Sequence, residues 1–201
     1  MNDPADVTLA AYQSRAQEYV QRRGGRRWPE LTGYLDRFAS LVGSGPVLEI
    51  GSGPGWDAEY LEERGVRVIR TDATPAFISL LRAAGHDPRQ LDARTDPLGG
   101  PYQGILADAV LHHLRREQFA DLLRRARAAV ARGGILAFTV KEGDGAAWSD
   151  NLGMPRHFTY WREPAVRAAL EGAGWPDASV DHVSGHDNWL FVLARARVPE
   201  P

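Results

Sequence analysis

The chain has 201 residues, 43% hydrophobic and 25% charged, with a formal net charge of −2, a composition that suits one globular domain able to bury a substantial core. It contains no cysteine, which excludes a disulfide framework, a thiolate zinc site and a cysteine nucleophile, and its slight acidity supplies no global field for nucleic acid. No apolar run approaches the length of a membrane span, and Met1-Asn2-Asp3-Pro4-Ala5-Asp6 lacks the basic and then apolar pattern of a signal peptide, so a cytoplasmic protein is expected.

Residues 5–20 read as a helix with Leu9, Tyr12, Ala16, Tyr19 and Val20 near helical spacing. Arg22-Arg23-Gly24-Gly25-Arg26-Arg27 interrupts it, and Pro29 then opens a second helix to Val42. Its predicted apolar face is Leu31, Tyr34, Leu35, Phe38 and Leu41. After Gly43-Ser44-Gly45-Pro46 the pattern alternates between strands and helices, as in a parallel sheet covered on both faces. Strands are expected at 47–50, 66–71, 89–91, 104–107 and 135–140, the last following an Arg132-Gly133-Gly134 turn. Helices are expected at 56–64, 75–84, 116–130 and 163–173. The runs 179–183 and 189–194 are too close for a helical crossover and should pair antiparallel. The expected fold is α/β: a Rossmann-like, doubly wound, seven-stranded, mainly parallel sheet with a C-terminal antiparallel hairpin strand and helices on both faces. A single domain is expected over 1–201, with helices in 1–42 preceding a core in 45–195.

The stretch Val47-Leu48-Glu49-Ile50-Gly51-Ser52-Gly53-Pro54-Gly55 carries the functional signal. A buried strand passes through a glycine turn into a helix, which leaves the backbone bare to a ligand. Twenty-one residues past Gly51, a second strand ends in Asp72, where a carboxylate can accept from both hydroxyls of a ribose. Together they indicate a nucleoside cofactor. A dinucleotide fingerprint would place its third glycine one residue later, and Glu49 would repel a pyrophosphate. A carboxylate there suits a ligand with an ammonium or sulfonium and no phosphate.

On these residues the chain resembles the class I S-adenosylmethionine-dependent methyltransferases, whose first motif reads acid-x-Gly-x-Gly-x-Gly; the resemblance covers roughly residues 45–195. It implies that Glu49, Gly51, Ser52, Gly53 and Gly55 serve the methionine part, and that Asp72 and Ala73 serve the ribose and adenine. It implies further that Asp92-Ala93 resembles the adenine-binding Asp-Ala pair after strand three, and that Ala107-Asp108 opens the segment lining the transfer site. S-adenosylmethionine is then the cofactor, S-adenosylhomocysteine the product, and no metal is expected. The terminal hairpin also fits this family, whereas a dinucleotide domain ends in parallel strands. In departure from the family pattern, Gln103 replaces the common acid that opens strand four, and no Asn-Pro-Pro-Tyr or Asp-Pro-Pro-Tyr follows that strand. The latter argues against enzymes that methylate nucleobase or glutamine amides. The Gly143-Asp144-Gly145 turn has no metal-ligand cluster, which argues against a magnesium-dependent catechol type.

The acceptor side is less determined. His112, His113 and Asp108 are candidates for a general base, which is needed only if the nucleophile is protonated. Tyr12, His157 and Tyr160 are candidates for acceptor binding, the latter two from the aromatic segment Pro155–Trp161. Tyr12 and Tyr19 lie two turns apart on one helical face, and the resemblance implies a helical lid with Tyr19 at the cofactor. Core packing explains the same spacing. The Arg22–Arg27 cluster could hold an acidic substrate, the methionine carboxylate or an RNA phosphate, or be a solvated turn. The expected reaction is methyl transfer to oxygen or nitrogen of a small molecule, by a monomer or homodimer. The alternatives are a tRNA-modifying enzyme, drawing on Arg22–Arg27 with Arg124, Arg125 and Arg127, and a non-catalytic cofactor-binding protein.

Overall fold

The structure, a computed structural model, describes residues 3–25 and 28–197. Arg26 and Arg27, half of the predicted arginine cluster, lie outside the described residues. Helix α1 (Pro4–Arg23) starts at Asp3, whose side chain accepts the Ala5 N–H, and stops at Gly24 in the left-handed region. Helix α2 (Pro29–Val42) follows. The alternating part consists of β1 (Pro46–Ile50), α3 (Trp56–Glu62), β2 (Arg67–Asp72), α4 (Pro75–Ala83), β3 (Arg89–Gln90), β4 (Tyr102–Ala107), α5 (Arg116–Ala129) and β5 (Val130–Lys141). A hairpin of β6 (Ala146–Ser149) and β7 (Arg156–Thr159) precedes α6 (Glu163–Gly172), β8 (Asp177–Val183) and β9 (Trp189–Arg195).

Seven strands form one sheet in the order β3-β2-β1-β4-β5-β9-β8. The first five are parallel; β9 runs antiparallel to β5 and to β8, with Val183 opposite Trp189 at the tight end of the hairpin. The expected fold is present, with α5 and α6 on one face and α2 and α3 on the other. Alternation divides the strand residues between the two cores. Val47, Leu106, Ala137 and Phe191 meet α2 and α3, while Leu48, Ile105, Phe138 and Val192 meet α5 and α6. Tyr34 reaches across from α2 and donates its hydroxyl between the Phe138 and Val192 carbonyls, at 3.2 and 2.8 Å.

Three expectations change. Val42 is buried on α2 where Leu41 was expected, and Leu41 is 41% exposed, because the helix turns the earlier residue outward. On α1 the packed residues are Ala5, Thr8, Ala11 and Ala16, while Leu9, Tyr12 and Tyr19 face a cavity instead of a core. Residues 132–134 do not form a separate turn: strand β5 begins at Val130, and the register against β4 shifts between Tyr102 and Gly104. The β6–β7 hairpin has no counterpart in the sequence reading.

Candidate active site

A cavity of about 170 Å3 lies beyond the carboxyl ends of β1, β2, β3 and β4 and is roofed by α1. This is the edge at which open α/β sheets bind ligands. The glycine turn forms its floor. Gly51, Gly53 and Gly55 have φ of 68°, 53° and 91°, a region costly for residues with a Cβ. The turn is pinned to β2: Ser52 N–H donates to the Thr71 carbonyl at 2.7 Å, and Thr71 N–H donates to Ser52 Oγ at 3.1 Å. Asp72 closes the arrangement, accepting from Gly53 N–H at 2.9 Å and from Thr74 N–H at 2.7 Å.

Those bonds fix both Asp72 oxygens and leave further lone pairs for a ligand. Burial raises its pKa above the ordinary range, and the two backbone donors oppose the rise. Asp92 is partly buried, which would raise its pKa, but the bonds from Arg94 outweigh this and hold its carboxyl below the usual range. Glu49 sits beneath the turn, 3% exposed, and Oε2 has no hydrogen-bond partner. Burial pushes its pKa up to about 7, against the Ser52 bond and the charge of Arg70.

After β4 the chain bends at Ala109, whose φ of 53° is the single left-handed value outside glycine among the described residues. The bend lays Val110 over Gly51, where any Cβ would meet Val110 Cγ2 at 2.5 Å. It also presents Asp108, which accepts from Thr139 Oγ1 at 2.6 Å. That hydroxyl in turn accepts the Ala109 N–H at 2.8 Å.

The roof meets the floor at His113. Its Nδ1 lies 2.7 Å from the His157 carbonyl, which can only accept, so the proton of the neutral ring is on Nδ1. Nε2 is therefore an acceptor, and Tyr12 donates to it over 3.1 Å. Arg156 Nη1 donates to the Tyr12 oxygen at 3.1 Å. Burial pushes the His113 pKa down to about 3, which keeps the ring neutral in this role.

Of the residues predicted from sequence, Tyr12, Tyr19, Gly51, Ser52, Gly53, Asp72, Ala73, Asp92, Ala93, Asp108 and His113 line the cavity. Six do not. Glu49 and Gly55 support the turn, Gly55 as the residue capping α3, and Ala107 is enclosed in the sheet. His112 is 2% exposed among His113, Phe158 and Trp189, and burial holds it well below its usual pKa. His157 contributes its backbone to Thr8 and His113 while its ring packs on Trp148. Tyr160 packs beside Gly143, and its backbone oxygen accepts from Arg116. Neither side chain lines the cavity. Arg23, Trp56, Asp57, Phe77 and Arg94 line it without having been predicted as site residues. Only the cluster Arg22–Arg27 hinted at one of them.

The cavity suits a nucleoside with a cationic tail. A Cβ built on Gly53 meets no protein atom within 4 Å, so the backbone borders open space there. Asp57, Asp72, Asp92 and Asp108 supply acceptors, and Arg94 is already paired with Asp92 and Asp6. Among the described residues no group of three His, Asp or Glu could hold a metal ion, and no helix is long and apolar enough to cross a membrane. The α5 arginines are engaged: Arg124 and Arg125 pair with Asp121, and Arg127 donates to the Gly174 and Arg197 carbonyls.

A methyltransferase-domain family model matches residues 16–180. The N-demethylindolmycin N-methyltransferase of Streptomyces griseus is 26% identical over 90% of this chain and 96% of that protein. Among solved structures, the DhpI-SAM-HEP complex superposes with a TM-score of 0.73 at 23% identity, covering 97% of this chain and 99% of DhpI. The 1,6-didemethyltoxoflavin-N1-methyltransferase of Burkholderia thailandensis, with bound 1,6-didemethyltoxoflavin and S-adenosylhomocysteine, gives 0.64 at 20% identity, covering 98% and 92%.

Proposed function

The chain belongs to the class I S-adenosylmethionine-dependent methyltransferases, and we propose that it methylates a nitrogen atom of a small-molecule acceptor bound under α1. The observation that carries this reading is that, among the described residues, the one histidine lining the cavity is not free to act as a base. His113 is neutral and its acceptor nitrogen is occupied by Tyr12. Asp72 and Asp92 are bound to backbone or arginine donors. A hydroxyl must lose its proton as it attacks, whereas a neutral nitrogen attacks with its own lone pair and sheds a proton afterwards. The two relatives named for nitrogen methylation support the same choice.

The cofactor supplies an electrophilic methyl group on a sulfonium. In this reading the Gly51–Gly53 backbone and Asp108 receive its methionine part, Asp72 and Ala73 the ribose and the start of the adenine pocket, and Asp92-Ala93 the adenine. Tyr19 and Arg23 close the methionine end from α1. Tyr12 faces the acceptor. Its hydroxyl hydrogen is directed at His113 and one lone pair takes the Arg156 proton, so what remains is a single acceptor site. That site fits an N–H, and it orients the nitrogen in a reaction that depends on alignment. His113 is then a positioning residue for Tyr12 and not a base. A single domain over 1–201 and a cytoplasmic setting belong to the same reading.

The test is methyl transfer from isotopically labelled S-adenosylmethionine to matched small amines, ring nitrogens, hydroxyls and tRNA, with products identified by mass spectrometry and NMR. N-methyl products from small acceptors are expected. Label only on oxygen, or only in tRNA, would overturn the proposal.

A further inference from the structure

Two cations share one ring beside Tyr12. Phe158, on β7, has Lys141 Nζ 4.5 Å and Arg156 Cζ 5.4 Å from its ring centre. Their charges are compensated differently. Lys141 pairs with Asp187 at 2.8 Å. Arg156, only partly exposed, has no carboxylate within ion-pair distance among the described residues. The hydrogen bond it does make goes from Nη1 to the neutral hydroxyl of Tyr12, and its Nε is buried without a partner.

A guanidinium carries five N–H donors in one plane and takes carboxylate or phosphate oxygens in pairs along its edge. A cation withdrawn from water is ordinarily paired, because its lost hydration is otherwise uncompensated. The rings of Tyr12 and Phe158, 5.5 and 5.4 Å from Cζ, hold the group by cation–π attraction, which neutralises no charge and uses no N–H. The guanidinium edge is thus held in place and largely uncommitted.

The same aromatic patch contains two more buried nitrogens in this condition. His112 packs on Phe158 at 5.1 Å and on Trp189 at 5.4 Å, and Trp28 packs on Trp189 at 6.1 Å. His112 Nδ1 and Trp28 Nε1 both lack a hydrogen-bond partner among the described residues, and an indole N–H can only donate. The patch therefore combines flat apolar walls, spare nitrogen groups and one uncompensated positive charge. Through Arg156 it adjoins the single acceptor site left on Tyr12. Its complement is a flat molecule bearing negatively charged oxygen.

We propose that Arg156 binds an acidic group of the methyl acceptor, so that the acceptor is a small molecule with a carboxylate or similar anion close to the nitrogen that is methylated. The inference deepens the reading of the acceptor given above and rests on it. The Tyr12 oxygen takes the acceptor N–H, and the guanidinium, whose Nη1 is 3.1 Å from that oxygen, takes the anion. Two contacts on one molecule align the nitrogen for attack. A neutral analogue leaves the charge of Arg156 uncompensated and binds less well.

The probes are 2-aminobenzoate, which is flat and carries both groups, its neutral amide 2-aminobenzamide, and inorganic phosphate. Each is titrated calorimetrically at neutral pH into the full chain saturated with S-adenosylhomocysteine. The wild type is expected to bind the acid at least about tenfold more tightly than the amide, the scale of a charge-assisted hydrogen bond, and more tightly than phosphate. Arg156→Gln should bind acid and amide equally, while Arg156→Lys should keep part of the preference. The preference is a ratio within one protein, so a smaller folded fraction in a variant cancels. Should Arg156→Gln fail to fold, the wild-type ratio and Arg156→Lys decide.

Amide bound as tightly as acid by the wild type, no binding of the acid, or a full preference surviving in Arg156→Gln overturns the proposal. Phosphate bound as tightly as 2-aminobenzoate would assign Arg156 to a free anion and overturns it too. Labelled methyl transfer to the same pair separates this from the nitrogen reading. Label on oxygen of the acid, with the Arg156 preference intact, would refute nitrogen methylation alone. N-methylation of acid and amide alike, indifferent to Arg156→Gln, would refute the anion site alone.

Discussion

The cavity floor is held by bonds between near neighbours in sequence, while its roof is held across most of the chain. Gly53 and Ser52 bond to Asp72 and Thr71 over a separation of 19 residues, and Asp72 to Thr74 over 2. In the roof, Tyr12 reaches His113 over 101 residues, Arg156 reaches Tyr12 over 144, and His157 reaches Thr8 over 149. The floor is thus one βαβ unit whose geometry follows from its own turn. The roof is a docking of α1 onto the His113 segment and the β6–β7 hairpin. A protein built this way can keep one cofactor site while changing its acceptor through the roof.

The largest test of the floor is a branched side chain in the glycine turn. Gly53→Val places its methyl groups in the cavity at a φ of 53° and should weaken S-adenosylhomocysteine binding by about 100-fold or more. Gly51→Val also collides with Val110 and should lose thermal stability as well as binding. Calorimetry on the two variants separates these effects. Asp72→Ala should weaken the same ligand by about 1–3 kcal/mol, the scale for charge-assisted hydrogen bonds.

The difference between floor and roof also explains what was legible in the sequence. Strand and helix alternation, the glycine spacing from Gly51 and the acid after β2 are local patterns, and they carried the fold and the floor. His112 and His113 are adjacent in sequence with equal claim to chemistry. Only the packing of Trp189 against one, and the His157 carbonyl and Tyr12 hydroxyl at the other, distinguishes them. His157 and Tyr160 stand outside the cavity lining, and for His157 this follows from the docking of the β6–β7 hairpin on α1 and the His113 segment, a tertiary contact with no local signal. Asp57 follows the glycine turn directly, and only the fold shows that it shares the cavity wall with Asp108.

A pH test probes the floor from beneath. Glu49 has a folded pKa of about 7, above its unfolded value. Its stabilising contribution is therefore complete below the ordinary glutamate range and lost as pH rises through about 7. Without ligand, the wild type should lose stability as pH rises from the ordinary glutamate range to about 7, and Glu49→Gln should lose less, the remainder coming from Asp72 and Asp108, which are also raised. At the upper end the variant should be the more stable by on the order of 2 kcal/mol, read as a few degrees in Tm. Equal pH dependence in both would show that Glu49 is not the titrating group.

The smallest expected effect belongs to the roof. Tyr12→Phe keeps the ring against Tyr19, Phe77 and His113 but removes the hydroxyl. The acceptor KM should rise by roughly fivefold, about 1 kcal/mol, with the S-adenosylhomocysteine affinity unchanged. An equal loss for both ligands would move Tyr12 from the acceptor side to the cofactor side.

The central claim is that the cavity beyond β1, β2 and β4 binds S-adenosylmethionine through its glycine floor. Isothermal titration of the wild type and Gly53→Val with S-adenosylmethionine, S-adenosylhomocysteine and NAD tests it most directly. The account predicts micromolar binding of the first two to the wild type, none of either to the variant, and no binding of NAD to either protein. Binding of NAD, or equal affinity of wild type and variant for S-adenosylhomocysteine, would contradict it.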